Sequence, residues 1–154
     1  MKSSESQKGM TLIEIMLVVA ILAISVGLSV LYSQSSQVRA DINSQVEQFV
    51  GHLRLAHTSA NAGLNDTSHG IHLETDSFTI FEGTSFVEGA DLNYEYELSA
   101  TMQIQNISLN GGGSDIVFDA PKGNTSDFGT LEFQSDQANK TVEIEITRLG
   151  TVNY

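Results

Sequence analysis

Four histidines, a set of loop carboxylates and one glycine run are the residues whose types could do chemistry in this chain. Their spacing decides what they can do. His52 and His57 stand five apart on a stretch that reads as helix, so their side chains diverge by about 140° at 3.6 residues per turn, and the sequence has no i, i+4 histidine pair able to share a metal ion. His69 and His72 flank the start of a strand. Asp115, Asp119, Asn124 and Asp127 offer the oxygen ligands that calcium takes, but without the D-x-[DN]-x-[DN]-G spacing; with 19 acidic residues against 7 basic ones, they read as solvated loop acids. The run Gly111-Gly112-Gly113 is not followed by Lys-Ser/Thr and does not open a helix, so it is no phosphate loop. Serines are many, yet there is no G-x-S-x-G and no base at a useful distance. The absence of cysteine removes disulfides, thiolate metal sites and thiol nucleophiles together. We expect no catalytic residue, no metal site and no cofactor: the chain does not read as an enzyme.

The elements that would position a functional group are more informative. The 154 residues fit one domain, or a smaller one with an appendage, and the formal charge of −12 argues against binding nucleic acid through phosphate neutralisation. Between Glu14 and Arg39 no residue is charged, and Ile15 to Leu31 is almost wholly apolar. Counted from Met10 to Tyr32, with Glu14 as the one intruder, the segment exceeds the roughly 20 residues that cross a hydrocarbon core. Lys2 and Lys8 precede it and the next base is Arg39, which places the N-terminus in the cytoplasm and the chain beyond about residue 35 outside. A cleaved secretory signal is the competing reading, with Ala23-Ile24-Ser25 as its small-x-small site and a new terminus at Val26. The apolar run nevertheless continues to Leu31, and an acid stands near its start.

A carboxylate at that depth costs on the order of 2.5–3.5 kcal/mol at mid-bilayer and less near the interface, so it points to a partner. Its neighbours supply a context. Lys8-Gly9-Met10-Thr11-Leu12-Ile13-Glu14, followed by the apolar run, resembles the processing motif of type IV prepilins and type II secretion pseudopilins. The resemblance implies that prepilin peptidase cuts between Gly9 and Met10 and that Met10 is N-methylated. It further implies that Glu14, fifth in the mature chain, pairs with the N-terminal amine of a neighbouring subunit during filament assembly. A buried carboxylate needs a cation, and a freshly cut amine at the same depth supplies one. Two departures stand out: Met10 occupies a position that is Phe in most relatives, and Leu31 stands where major pilins carry a helix-bending Pro.

From Val38 the pattern changes to a 3.6-residue period, through Ile42, Val46, Phe49, Val50, Leu53 and Ala56. Gly63 and Asn65-Asp66 supply a stop. One helix from about Thr11 to Ala62 would be roughly 78 Å long at 1.5 Å per residue, apolar all round in its first half and along one stripe in its second. Beyond it the sequence alternates in about seven short strands: Gly70–Glu74 and Ser77–Phe81 as a hairpin, then Leu92–Leu98, Met102–Leu109 with a break at Asn106, Ile116–Phe118, Gly129–Gln134 and Thr141–Thr147. Gly150–Tyr154 is a possible last strand. One apolar and one polar face per strand suits antiparallel sheets on a single layer, covered by the helix stripe.

The expected fold is therefore α+β and pilin-like, with a long N-terminal spine helix packed against antiparallel β-sheets. Residues 1–9 form a cleaved leader, 10–33 the membrane and filament-core half of the helix, 34–63 its amphipathic half, and 64–154 the β-rich head. The order of elements, including the strand ending in Phe118, the Gly123 loop and the terminal Leu149-Gly150-Thr151-Val152, is similar to the H-type minor pseudopilins and fimbrial-T-like minor pilins. That resemblance implies a structural subunit of a type II secretion pseudopilus or a type IV pilus. It would sit in the bacterial cytoplasmic membrane as a single-pass protein, with prepilin peptidase and other pilin subunits as partners. Two alternatives remain: a minor pilin serving as a DNA-uptake or adhesion receptor, and an anchored or secreted β-domain unrelated to filaments. Loss of Lys2, Lys8 and Glu5 with the leader leaves 5 basic and 18 acidic residues, and that field repels phosphate.

Overall fold

In the computed structural model, residues 11–154 are described, and within them the side chains of 28–38 are not. Helix α1 runs Leu12–Asn61 and is followed by a short 3-10 turn, Leu64–Asp66. Eight strands complete the chain: β1 His69–Leu73, β2 Ser77–Glu82, β3 Tyr94–Glu97, β4 Gln103–Leu109, β5 Asp115–Phe118, β6 Gly129–Ser135, β7 Lys140–Ile146 and β8 Val152–Asn153. The chain divides into two units, Met1–Gln37 and Val38–Tyr154.

In the first unit every described side chain from Thr11 to Gly27 is exposed, and most are apolar. Among the described residues no helix is long and apolar enough to cross a membrane. The rest of the expected membrane segment, Leu28 to Tyr32, lies outside the described side chains.

The second unit is the head. Ile42, Val46, Phe49, Val50, Leu53, Ala56 and Ala60 recur at helical spacing and are all buried, so one stripe of α1 forms one wall of the core. Two four-stranded antiparallel sheets form the other walls. The first has the order β3-β2-β1-β5 and the second β4-β6-β7-β8. Alternation along β6 sends Leu131 and Phe133 inward while Thr130, Glu132 and Gln134 stay nearer solvent. The expected antiparallel sheets on the helix are thus two, and the possible last strand is formed, as Val152–Asn153, paired with the end of β7 to make eight. Phe49 joins the layers: its ring lies 5.1 Å from Phe78 of the first sheet, edge to face, and 5.0 Å from Phe133 of the second.

Local chemistry fixes the connections. The hairpin turn closes through the Glu74 N–H donating to the Ser77 carbonyl at 3.0 Å and the Ser77 hydroxyl donating to the Glu74 carboxylate at 3.1 Å. The expected break at Asn106 is a β-bulge: the β4–β6 register shifts between Gln105 and Ser108, Asn106 takes φ of 51°, and its amide donates to Glu132 at 2.8 Å. Gly70 is required by close approach, since a Cβ there would stand 2.5 Å from the ring of Phe81, its partner across the hairpin. After β3, the Ser99 N–H donates to the Gln45 side chain of α1 at 3.0 Å, which holds the crossing between sheets to the helix.

Because Phe49 is fully buried and touches both sheets, Phe49→Ala should lower the stability of the head by about 3–5 kcal/mol. Leu55→Ala, on the exposed face of the same helix, should stay within about 0.5 kcal/mol of the parent. Denaturant midpoints of the two variants check the contrast.

Candidate functional site

The residues singled out for processing and assembly lie at the start of α1. Gly9 and Met10 are outside the described residues. Thr11 precedes the first helical residue, and its carbonyl accepts from the N–H groups of Glu14 at 3.1 Å and Ile15 at 3.3 Å. Its hydroxyl also accepts from the Glu14 N–H at 3.4 Å. Thr-x-x-Glu is the sequence of a capping box, and the threonine half of that device is formed. This signal was readable in the sequence and escaped the search for chemistry. Glu14 is exposed in the first turn, where the positive end of the helix dipole favours its charge. Among the described residues it has no ion pair. Around it Leu12 is 77 % exposed and Ile13 74 %. A helix surface that is apolar all round is stable only against lipid or other apolar helices.

In the head the histidines occupy four separate environments. His52 stacks on Tyr96 at 4.3 Å and leans on Phe78 at 5.7 Å, and its burial there pushes its pKa below the ordinary histidine value. His57 lies edge-on to Phe118 at 5.5 Å, and its ring also packs against the backbones of Gly123 and Gly150. His69 Nε2 is 3.2 Å from the Leu64 carbonyl. His72 meets the carboxylate of Asp115 at 2.5 Å and lies flat on Phe86 at 4.0 Å, with Glu74 at 3.7 Å from its other nitrogen.

The loop carboxylates diverge in the same way. The second oxygen of Asp115 accepts the Phe86 N–H at 3.3 Å, and Asp127 accepts the Val117 N–H at 3.0 Å. Asp119 and Asn124 close a turn through backbone bonds, the Asp119 N–H donating to the Asn124 carbonyl at 2.8 Å. Among the described residues no group of three or more histidine and carboxylate side chains is arranged to hold a metal ion. The cluster of His72, Asp115 and Phe86 was not foreseen. It is assembled by the pairing of β1 with β5, which sets His72 opposite Asp115 across 43 residues of chain. Its work is structural, pinning the loop between β2 and β3 to the first sheet.

The family described as the prokaryotic N-terminal methylation motif matches residues 6–30. Gly9, Met10, Thr11, Glu14 and the exposed apolar helix as far as Gly27 fall inside that match. Among solved structures the chain is similar to the minor pseudopilin EPSH from the type II secretion system of Vibrio cholerae, at 14 % identity and a TM-score of 0.55, covering 75 % of this chain and 94 % of that one. No curated relative matches the chain. The chain carries the prepilin-type methylation motif and has the pseudopilin fold. Both are what the resemblances in the sequence implied.

Two outcomes follow for this pseudopilin-fold head. The pKa of His52 is depressed in the folded state, so the unfolded chain takes up a proton first as pH falls. The stabilisation is complete above the ordinary histidine value of 6.5 and is lost as pH drops below it toward the folded-state value. Thermal melts at pH 7.5 and 5.5 should show a larger fall for the parent than for His52→Phe. Asp115→Ala should cost about 1 kcal/mol, the low end for orphaned donors because the Asp115 side chain is 33 % exposed. Amide exchange at Phe86 should accelerate in that variant by more than exchange at Phe133, which follows global unfolding.

Proposed function

We propose that this protein is a minor subunit of a type IV filament system, a pseudopilin of type II secretion or a minor pilin. The observation that carries the reading is the methylation motif over residues 6–30 joined to a head of pseudopilin fold. On this reading residues 1–9 are a leader and prepilin peptidase cuts between Gly9 and Met10. Met10 is N-methylated, and residues 10–33 anchor the chain in the cytoplasmic membrane with the head outside. Glu14 is the assembly residue. Its carboxylate has no basic partner among the described residues, and the methylated Met10 amine of the next subunit would neutralise it when the apolar helices pack. The absence of charge between Glu14 and Arg39 supports the same picture, since lateral packing of helices in an apolar medium tolerates only paired charge.

Intact mass and N-terminal sequencing of membrane-extracted protein, with and without co-expressed prepilin peptidase, test the reading. The expected product begins at Met10 and carries one added methyl group. An N-terminus that stays at Met1, or appears near Val26 irrespective of the peptidase, overturns it. Glu14→Ala should be cut normally yet enter filaments about a hundredfold less, the weight of ~3 kcal/mol for one broken buried pair; quantitative blotting of sheared filaments reads this.

A further inference from the structure

A surface groove of about 360 Å³ with a mainly apolar lining lies between α1, the 3-10 turn and the open edge of the first sheet. Leu55, Leu64, Leu92 and Tyr94 line it and are each half exposed or more, at 58, 50, 51 and 60 %. They come from three separate pieces of chain, so the patch is built by the fold and is not a run of apolar sequence. Contiguous apolar surface of this kind on an otherwise acidic head marks an interaction site.

The charges around it select the partner. No lysine or arginine lines the groove, whereas Glu82 does, its carboxylate held by the Asn65 amide at 3.1 and 3.2 Å. His52, at its floor, is disfavoured from charging by its burial and adds no compensating cation. A second copy of this chain would bring a surface of the same sign, in a molecule of formal charge −12.

We infer that the groove between α1 and β3 is a docking site for a segment of a different protein that offers aliphatic side chains flanked by lysine or arginine. Burial of the aliphatic groups against Leu55, Leu64 and Leu92 supplies the affinity, and Glu82 sets the sign of the accepted charge. The inference adds a head-mediated contact to the filament-subunit reading and rests on it only in that such a subunit presents its head to other proteins.

The test uses the full chain in lipid nanodiscs and a fluorescein-labelled ten-residue peptide alternating leucine and lysine, with empty nanodiscs as the blank. Saturable anisotropy is expected, and it should vanish when serine replaces leucine or glutamate replaces lysine in the peptide. Leu55→Glu and Leu92→Glu should each weaken binding by about tenfold or more, and Glu82→Gln by about threefold. Val87→Glu, at an exposed apolar residue outside the groove, should leave binding unchanged, with thermal melts confirming that each variant is folded. Equal binding by both leucine variants overturns the inference, as does binding of the glutamate peptide or an equal loss in Val87→Glu. Concentration-dependent self-association that Leu55→Glu abolishes, without peptide binding, assigns the groove to a second copy and also overturns it. None of these readouts depends on cleavage at Gly9, so failure here and failure of the subunit reading are told apart by the mass of the N-terminus.

Discussion

The head depends on one requirement: the stripe from Ile42 to Ala60 along α1 has to be covered. A helix can bury such a stripe only against a surface of matching length, and neither four-stranded sheet alone closes a core around it. Two sheets meet on it instead, and Phe49 stands where they meet, its ring against Phe78 on one side and Phe133 on the other. Much else answers to that arrangement. Gln45, one residue before Val46 of the stripe, takes the Ser99 N–H just where the chain leaves the first sheet for the second. The Asn106 bulge bends β4, as an extra residue in one strand does. Gly70 lets the Phe81 ring lie against the backbone of β1.

The polar groups of the head serve the same end. Asp115 holds His72 and the Phe86 amide, Asp127 holds the Val117 amide, and Glu74 closes the first hairpin. Carboxylates occupied in this way have no free geometry in common, which is why an acid-rich sequence with two histidines on one strand does not produce a metal-binding arrangement among the described residues. Each of these bonds satisfies a backbone, ring or hydroxyl donor that burial would otherwise leave without a partner, at a cost of about 1–3 kcal/mol.

The sequence made some of this legible and hid the rest, for physical reasons. The stripe of α1 was readable because helical burial has a 3.6-residue period that Val46, Phe49, Val50 and Leu53 follow. The hairpin at Thr75-Asp76 and the irregularity at Asn106 were readable from turn chemistry and broken alternation. The split into two sheets was not. Alternation tells which face of a strand is buried and nothing about its neighbour, and β5 pairs with β1 across more than forty residues of chain. The His72–Asp115 contact follows from that pairing and was hidden with it. The docking groove was hidden too, because Leu55, Leu64, Leu92 and Tyr94 are unremarkable until the fold brings them together. At the other end of the chain the methylation motif needs no tertiary structure to be read, because it is a run of local sequence over residues 6–30.

Glu14 is the acid to which none of this structural logic applies. The carboxylates of the head that hold amides or rings are explained by those contacts. Glu14 has a threonine cap bonded to its backbone, apolar side chains exposed all around it, and no cation among the described residues. Capping alone would be served as well by Gln at the same position, so a negative charge there is more than the helix start requires. The exposed apolar surface around it is equally unaccounted for by the folded chain alone. On the proposed reading both features are resolved by one event, the packing of this helix among others like it. The apolar faces would then lose water or lipid, and the carboxylate, carried out of a polar medium, would have to find a cation at its own depth. The charge that burdens the single chain would then restrict which alignments of neighbouring helices are stable, and so act as a register mark for the proposed assembly.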